Sequence, residues 1–212
     1  MYKKKLIFLL FVLLGIFLLS GCYDRATINT YSDPSFSKNT ITRLAIFPMK
    51  NVNLTAGESR AINRGIAKGI HQINPNIEIM STVEIIQILN KQGLTSEWSA
   101  FLEDYASTGV PNTETLFKIG DVLGVDGLMQ GEIVNVYQEN SHYGVNQKAP
   151  SVKLGVARVT VRYSTFGTDS GKLLWEATSD GINKTGITFS DDPSLIEAVM
   201  LAQQKIIENL PF

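Results

Sequence analysis

The chain has 212 residues, of which 44% are hydrophobic and 18% charged, with a formal net charge of −1 and one cysteine. That composition excludes a disulfide framework and a basic nucleic-acid footprint, and it suits a folded domain rather than a disordered chain. Only two histidines are present, which leaves little material for histidine-centred catalysis or metal binding.

The N-terminus opens with Lys3-Lys4-Lys5, followed by fourteen apolar or glycine residues from Leu6 to Leu19. A membrane-crossing helix needs about 20 apolar residues, whereas the apolar part of a secretion signal runs to roughly 7–15. Leu19-Ser20-Gly21-Cys22 then resembles the lipobox of bacterial lipoproteins. In that motif small residues admit the lipoprotein signal peptidase, which cuts before a lipid-modified cysteine. A lone cysteine in a secreted chain is otherwise a reactive thiol. The resemblance implies Leu19, Ser20 and Gly21 as peptidase-recognition residues and Cys22 as the lipidation site. It would carry a diacylglyceryl group on sulfur and a further N-acyl chain, enough for stable anchoring. Tyr23, in place of an inner-membrane-retaining Asp, implies the outer membrane, with the domain on its periplasmic face. Loss of the signal takes the formal charge to about −4. The expected division is a signal peptide over 1–21, a lipidated N-terminus and flexible tether over 22–42, and one globular domain over 43–212.

Arg43-Leu44-Ala45-Ile46-Phe47-Pro48 reads as a buried strand. Thr55 and Glu58 have capping-box spacing ahead of a helix carrying Ile62, Ile66, Ile70 and Ile73. Gly65 and Gly69 beside that stripe are expected to allow close packing on a sheet. Ile77 and Ile79 mark a short strand, and Ser81 with Glu84 caps a helix that stops at Gly93. A short helix is expected over Ser96–Tyr105. Another starts at Asn112 or Thr113 and ends at Gly124. A strand from Gly127 to Tyr137 gives way to a polar stretch over Gln138–Pro150.

In the next strand, Val152–Phe166, the apolar residues change from even to odd positions, which predicts a β-bulge near Gly155–Arg158. Thr168-Asp169-Ser170-Gly171 supplies a hairpin turn returning through Leu173–Ala177. A Gly/Asn/Thr-rich loop follows. Asp192-Pro193 is expected to cap a last helix running to about Asn209. The fold class is therefore α/β (α+β): a mixed β-sheet with parallel early strands and a long antiparallel hairpin, covered by helices.

Several segments together resemble one superfamily of envelope proteins. They are Leu44-Ala45-Ile46-Phe47-Pro48 with Asn51, Leu89-Asn90-Lys91-Gln92-Gly93-Leu94, the run from Ile119-Gly120-Asp121 to Gly131-Glu132-Ile133, and Asp169-Ser170-Gly171-Lys172-Leu173-Leu174-Trp175. The relatives are the curli-secretion lipoprotein CsgG, the LpoB-type activators of peptidoglycan synthases, and the TolB N-terminal domain. The resemblance spans roughly 43–210 and implies a fold more than a site. A pore is not expected: Gln138–Pro150 is short and polar, and Asp180–Ser190 has no lipid-facing alternation.

His71 suits the cationic end of a helix and His142 a polar loop. Asp121/Asp126 and Asp191/Asp192 read as turn and cap residues. No catalytic or metal set emerges, and no phosphate-cradling, HExxH or EF-hand pattern is present. The sequence therefore predicts a non-enzymatic, outer-membrane-anchored lipoprotein that acts as a binding or assembly component of a cell-envelope or secretion complex, with an envelope protein as partner, a homo-oligomer left open, and no cofactor or nucleic acid. The rival readings are an LpoB-like synthase activator and an enzyme with an unrecognised site.

Overall fold

The computed structural model describes residues 26–37, 40–50, 54–143, 152–188 and 193–212. Six strands form one sheet in the order β1-β6-β5-β4-β2-β3. They are β1 (Ala26–Ser32), β2 (Arg43–Ile46), β3 (Glu78–Met80), β4 (Gly127–Tyr143), β5 (Val152–Gly167) and β6 (Lys172–Thr188). β2 pairs in parallel with β3 and β4, and the remaining pairings are antiparallel. The helices are α1 (Ala56–Ile73), α2 (Thr82–Gln92), α3 (Thr95–Thr108), α4 (Thr113–Leu123) and α5 (Leu195–Ile207). This is the α+β, mixed-sheet class expected from the sequence.

Alternation along β2 sends Leu44 and Ile46 to one face and Ala45 and Phe47 to the other, so the sheet divides two cores. On the first face Ile62, Ile66 and Ile70 of α1 and Ala198, Val199, Ala202 and Ile206 of α5 pack on Val159, Val161, Tyr163 and Trp175. On the second, α2, α3 and α4 bring Leu89, Trp98, Phe101 and Ile119 against Phe47, Leu128 and Phe166. Local signals set the helix ends. Thr55 and Glu58 form a reciprocal capping box, and Ser81 and Asn112 accept the third helical amide of α2 and α4. Gly93 and Gly124 close those two helices in the left-handed conformation.

Gly65 and Gly69 mark the approach of α5 rather than of the sheet. A Cβ on Gly69 would lie 2.6 Å from Ile207 Cγ2, and one on Gly65 2.8 Å from Gln203 Oε1. The α1 stripe buries Ile62, Ile66 and Ile70 but leaves Ile73 at 40% exposed. The Gln203 amide, itself buried, donates to Ile62 O and to the Tyr163 hydroxyl, each at 2.8 Å. Burial pushes the Tyr163 phenol above its ordinary range.

Four expectations need correction. The stretch read as a tether over 22–42 contains β1, which pairs with β6 from Ala26↔Gly181 to Ser32↔Trp175. Beyond Ala26 no β1 residue is buried, so the ladder rather than an apolar face holds the strand, and hydrophobic patterning does not register it. β4 continues to Tyr143 and β6 to Thr188, through residues read as loop, because their backbone ladders to β5 run on through polar sequence. β5 carries no bulge at 155–158. The extra residues lie on its neighbours instead, at Val134 of β4 and Leu174 of β6, with a further register shift opposite Lys153–Gly155. The cap of α5 is Ser194, whose hydroxyl accepts from the Glu197 amide; Asp191 and Asp192 lie outside the described residues.

Asp126 joins α4 to the sheet. Its carboxylate accepts from the Thr42 amide at 2.8 Å, the Arg43 amide at 3.0 Å and the Thr42 hydroxyl. Burial opposes ionisation, but these donors and the Arg43 charge together hold the carboxyl below its ordinary value. A lowered folded-state pKa contributes stability above the unfolded value, about 3.9, which is lost as pH falls through the folded value. Asp126→Asn is expected to lower stability at neutral pH by about 1 kcal/mol, small because the group is mostly solvated. It should also flatten the acid limb of stability below about pH 5. Urea unfolding followed across pH measures both.

Candidate functional site

Leu19, Ser20, Gly21 and Cys22 lie outside the described residues, as do Tyr23 and Asn51. What the fold fixes is where the chain leaves for them. Cys22 is four residues before Ala26, so it is within about 14 Å of the start of β1 at full extension. A flexible 22–42 tether would have reached about 60–70 Å. The reach expected of a long-tethered activator is correspondingly reduced.

β1 runs opposite to β2 and β3, since three antiparallel steps lead from β1 to β4 and β4 is parallel to β2. Its N-terminal end therefore lies in the direction in which β2 and β3 run but farther along: Ile46 is level with Ser32 through Met129, Thr165 and Trp175, while Ala26 is level with Val136. Two surface features stand out.

The first is the second face of β1, β6, β5 and the outer half of β4, which carries polar side chains. Arg162 Nη2 donates to Glu132 at 2.6 Å across β5 and β4. Ser164 and Tyr105 both donate to Glu176, at 2.7 and 3.1 Å. Thr160 donates to Asp180 at 2.6 Å. Burial, then the neighbouring Glu176 carboxylate, pushes Tyr105 up to about 12. That shift moves the phenol away from use as a base at neutral pH. The cavity beside this network is about 20 Å³, room for one water. The network thus ties three strands and α3 together and has no space for a substrate. Tyr137 is about half exposed on this face, with its hydroxyl donating to Glu139 at 2.5 Å. Tyr31 and Val134 are similarly exposed on the same strands.

The second is a groove of about 570 Å³ at the ends of β2 and β3, between the first turns of α1 and α2. Ile46, Pro48, Ile79 and Met80 form its floor with Ala56 and Ala67, while Val83 and Ile86 of α2 remain 59% and 42% exposed. Arg60 and Arg64 line it, and no acidic residue among the described residues does. Neither arginine has a carboxylate partner among the described residues, unlike Arg43 with Glu78 and Arg162 with Glu132. Asn63 also lines the groove and is 6% exposed. Its Nδ2 donates to Phe47 O at 2.9 Å and to Thr82 Oγ1 at 3.3 Å, which fixes the amide orientation and leaves Oδ1 without a partner. A cleft of about 330 Å³ adjoins the groove, sharing Pro48 and Ile86 with it.

Sequence reasoning missed Arg60, Asn63 and Arg64. Their spacing on α1 was visible, but an Arg pair at i and i+4 reads as a solvated helix face until the neighbouring elements are placed. Of the histidines, His71 is exposed in the last turn of α1, and the side chain of His142 is outside the described residues. Among the described residues no group of three His, Cys, Asp or Glu could hold a metal ion, and no helix is long and apolar enough to cross a membrane.

No protein-family model matches the chain, and no curated protein matches its sequence. Among solved structures it is similar to a PelC dodecamer from Paraburkholderia phytofirmans, at 13% identity and a TM-score of 0.48, over 88% of this chain and 98% of that one. It is similar to lipoprotein GNA1162 from Neisseria meningitidis at 12% identity and a TM-score of 0.44, over 80% and 99% of the two chains. For the LpoB C-terminal domain from Escherichia coli the values are 10% and 0.39, over 68% and 86%. Likeness at this level leaves the site to be read from its own residues.

Proposed function

We propose that this chain is a lipid-anchored protein of the bacterial envelope, held at the outer membrane through acylated Cys22, that acts by binding another envelope protein. The observation that carries the reading is the lipobox-like Leu19-Ser20-Gly21-Cys22, with the only cysteine in the chain, placed just ahead of a folded domain. The partner surface in this reading is the open sheet face around Tyr137. Exposed tyrosines among hydrogen-bonded polar groups are typical of protein–protein interfaces. No step of chemistry is assigned to the domain.

A photo-crosslinking amino acid in place of Tyr137, in cells producing the full chain, tests this. Irradiation is expected to give a discrete adduct of higher mass, and Cys22→Ser is expected to abolish it by releasing the protein from the membrane. Only monomer after irradiation, or an adduct unchanged by Cys22→Ser, would count against the reading.

A further inference from the structure

The groove between α1 and α2 has two properties that belong together. Its floor is apolar and includes Val83 and Ile86, which stay exposed although they sit beside buried core. Its charge is of one sign, from Arg60 and Arg64, with no carboxylate among the described residues to neutralise it.

From this we infer that the groove binds a single-chain amphiphile with an anionic head group, of which a long-chain fatty acid is the type. The apolar chain lies on Ile46, Pro48 and Met80 and continues past Ile86 into the adjoining cleft, while the head group meets the two arginines. Each methylene removed from water adds to binding, so an acyl chain can supply most of the affinity and the arginines the selectivity. The groove volume falls in the range of about 300–1,000 Å³ typical of small-molecule sites.

An extended peptide fits less well. The neighbouring sheet edge, β3, is three residues long and offers too short a ladder for strand addition. The source of the ligand rests on the lipid-anchored reading, in which acylated Cys22, within about 14 Å of Ala26 at full extension, keeps the domain beside a bilayer.

The experiment uses cells producing the full chain, fed a fatty acid that carries a diazirine and a terminal alkyne. Irradiated protein is purified and digested, and adducts are located by mass. The same probe reports acylation at Cys22 and occupancy of the groove as separate peptides, so failure of either reading is seen independently. The expected result is an adduct of one fatty-acid mass within residues 56–67 or 79–86. In Arg60→Ala/Arg64→Ala it should fall at least tenfold, with labelling at Cys22 unchanged. Ile86→Glu, at an exposed position, should lower it comparably, and circular dichroism confirms that each variant is folded. Labelled Cys22 without a groove adduct, or a groove adduct that the double arginine variant retains, would overturn the proposal. So would an adduct of phospholipid mass, or a co-purified peptide that excludes the probe.

Discussion

Gly181→Val is expected to unfold the domain. A Cβ at this position would lie 1.9 Å from Ala198 O and 2.8 Å from Ala202 N, both backbone atoms of α5. Backbone cannot rotate away as a side chain can, so the helix must lift from the sheet. Ala198 and Ala202 are fully buried and small, which is how α5 comes so close to β6. Lifting it would open the core around Val199, Ile206 and Val159. It would also disturb the middle of the sheet, since Gly181 pairs with Ala26 on one side and Val159 on the other. The expected loss exceeds about 4 kcal/mol, most of the stability of an ordinary domain. Gly109→Ala is the control: its φ is +70° with nothing within 4 Å, so the loss should be about 1 kcal/mol from backbone strain alone. Urea unfolding monitored by circular dichroism measures both. A Gly181→Val protein as stable as Gly109→Ala would show that the α5–β6 contact is wrong.

The other face depends on aromatic packing. Phe101 is 3% exposed and stacks on Trp98 with centroids 5.0 Å apart; it meets Phe166 edge-on at 5.3 Å. Trp98 in turn stacks on Phe47 at 4.0 Å, so the series joins α3 to the end of β2. α3 has no side-chain cap at its start, so its position rests on these contacts together with the Tyr105–Glu176 hydrogen bond. Phe101→Ala removes the middle ring and leaves a cavity, with an expected loss of about 3–5 kcal/mol. Phe101→Leu keeps most of the volume and should lose less than half of that. A loss under about 1.5 kcal/mol for the alanine variant would mean that α3 is held some other way.

Legibility in the sequence followed the kind of force at work. α1, α2 and α4 could be read because caps and stop glycines are local chemistry: Thr55 with Glu58, Ser81 with Gly93, and Asn112 with Gly124. β2 was legible from its unbroken apolar run. β1 was not, because its side chains are mostly exposed and its energy lies in hydrogen bonds to a strand about 150 residues later. The outer halves of β4 and β6 were hidden for the same reason. The phase change in β5 was read as a bulge at Gly155–Arg158, but β5 keeps unbroken register with β4 from Val152 to Thr160, and the extra residues at Val134 and Leu174 lie farther along on its neighbours. Arg60, Asn63 and Arg64 acquire meaning only when α2 and the end of β2 close the groove around them.

β1 has the largest functional consequence, because it replaces a loose tether with a domain seated near the proposed anchor. This can be measured in the acylated protein reconstituted into vesicles whose headgroups chelate nickel. A nitroxide at Arg158, exposed on β5, lies two strands and about 10 Å from Ala26. It should therefore be within roughly 24 Å of Cys22. A nitroxide at Glu114 lies near the Thr168–Gly171 turn, at the opposite end of the sheet. The account predicts strong relaxation by nickel at Arg158 and weak relaxation at Glu114. Equal, weak relaxation at both positions would contradict it, since that is the behaviour of a domain on a free tether.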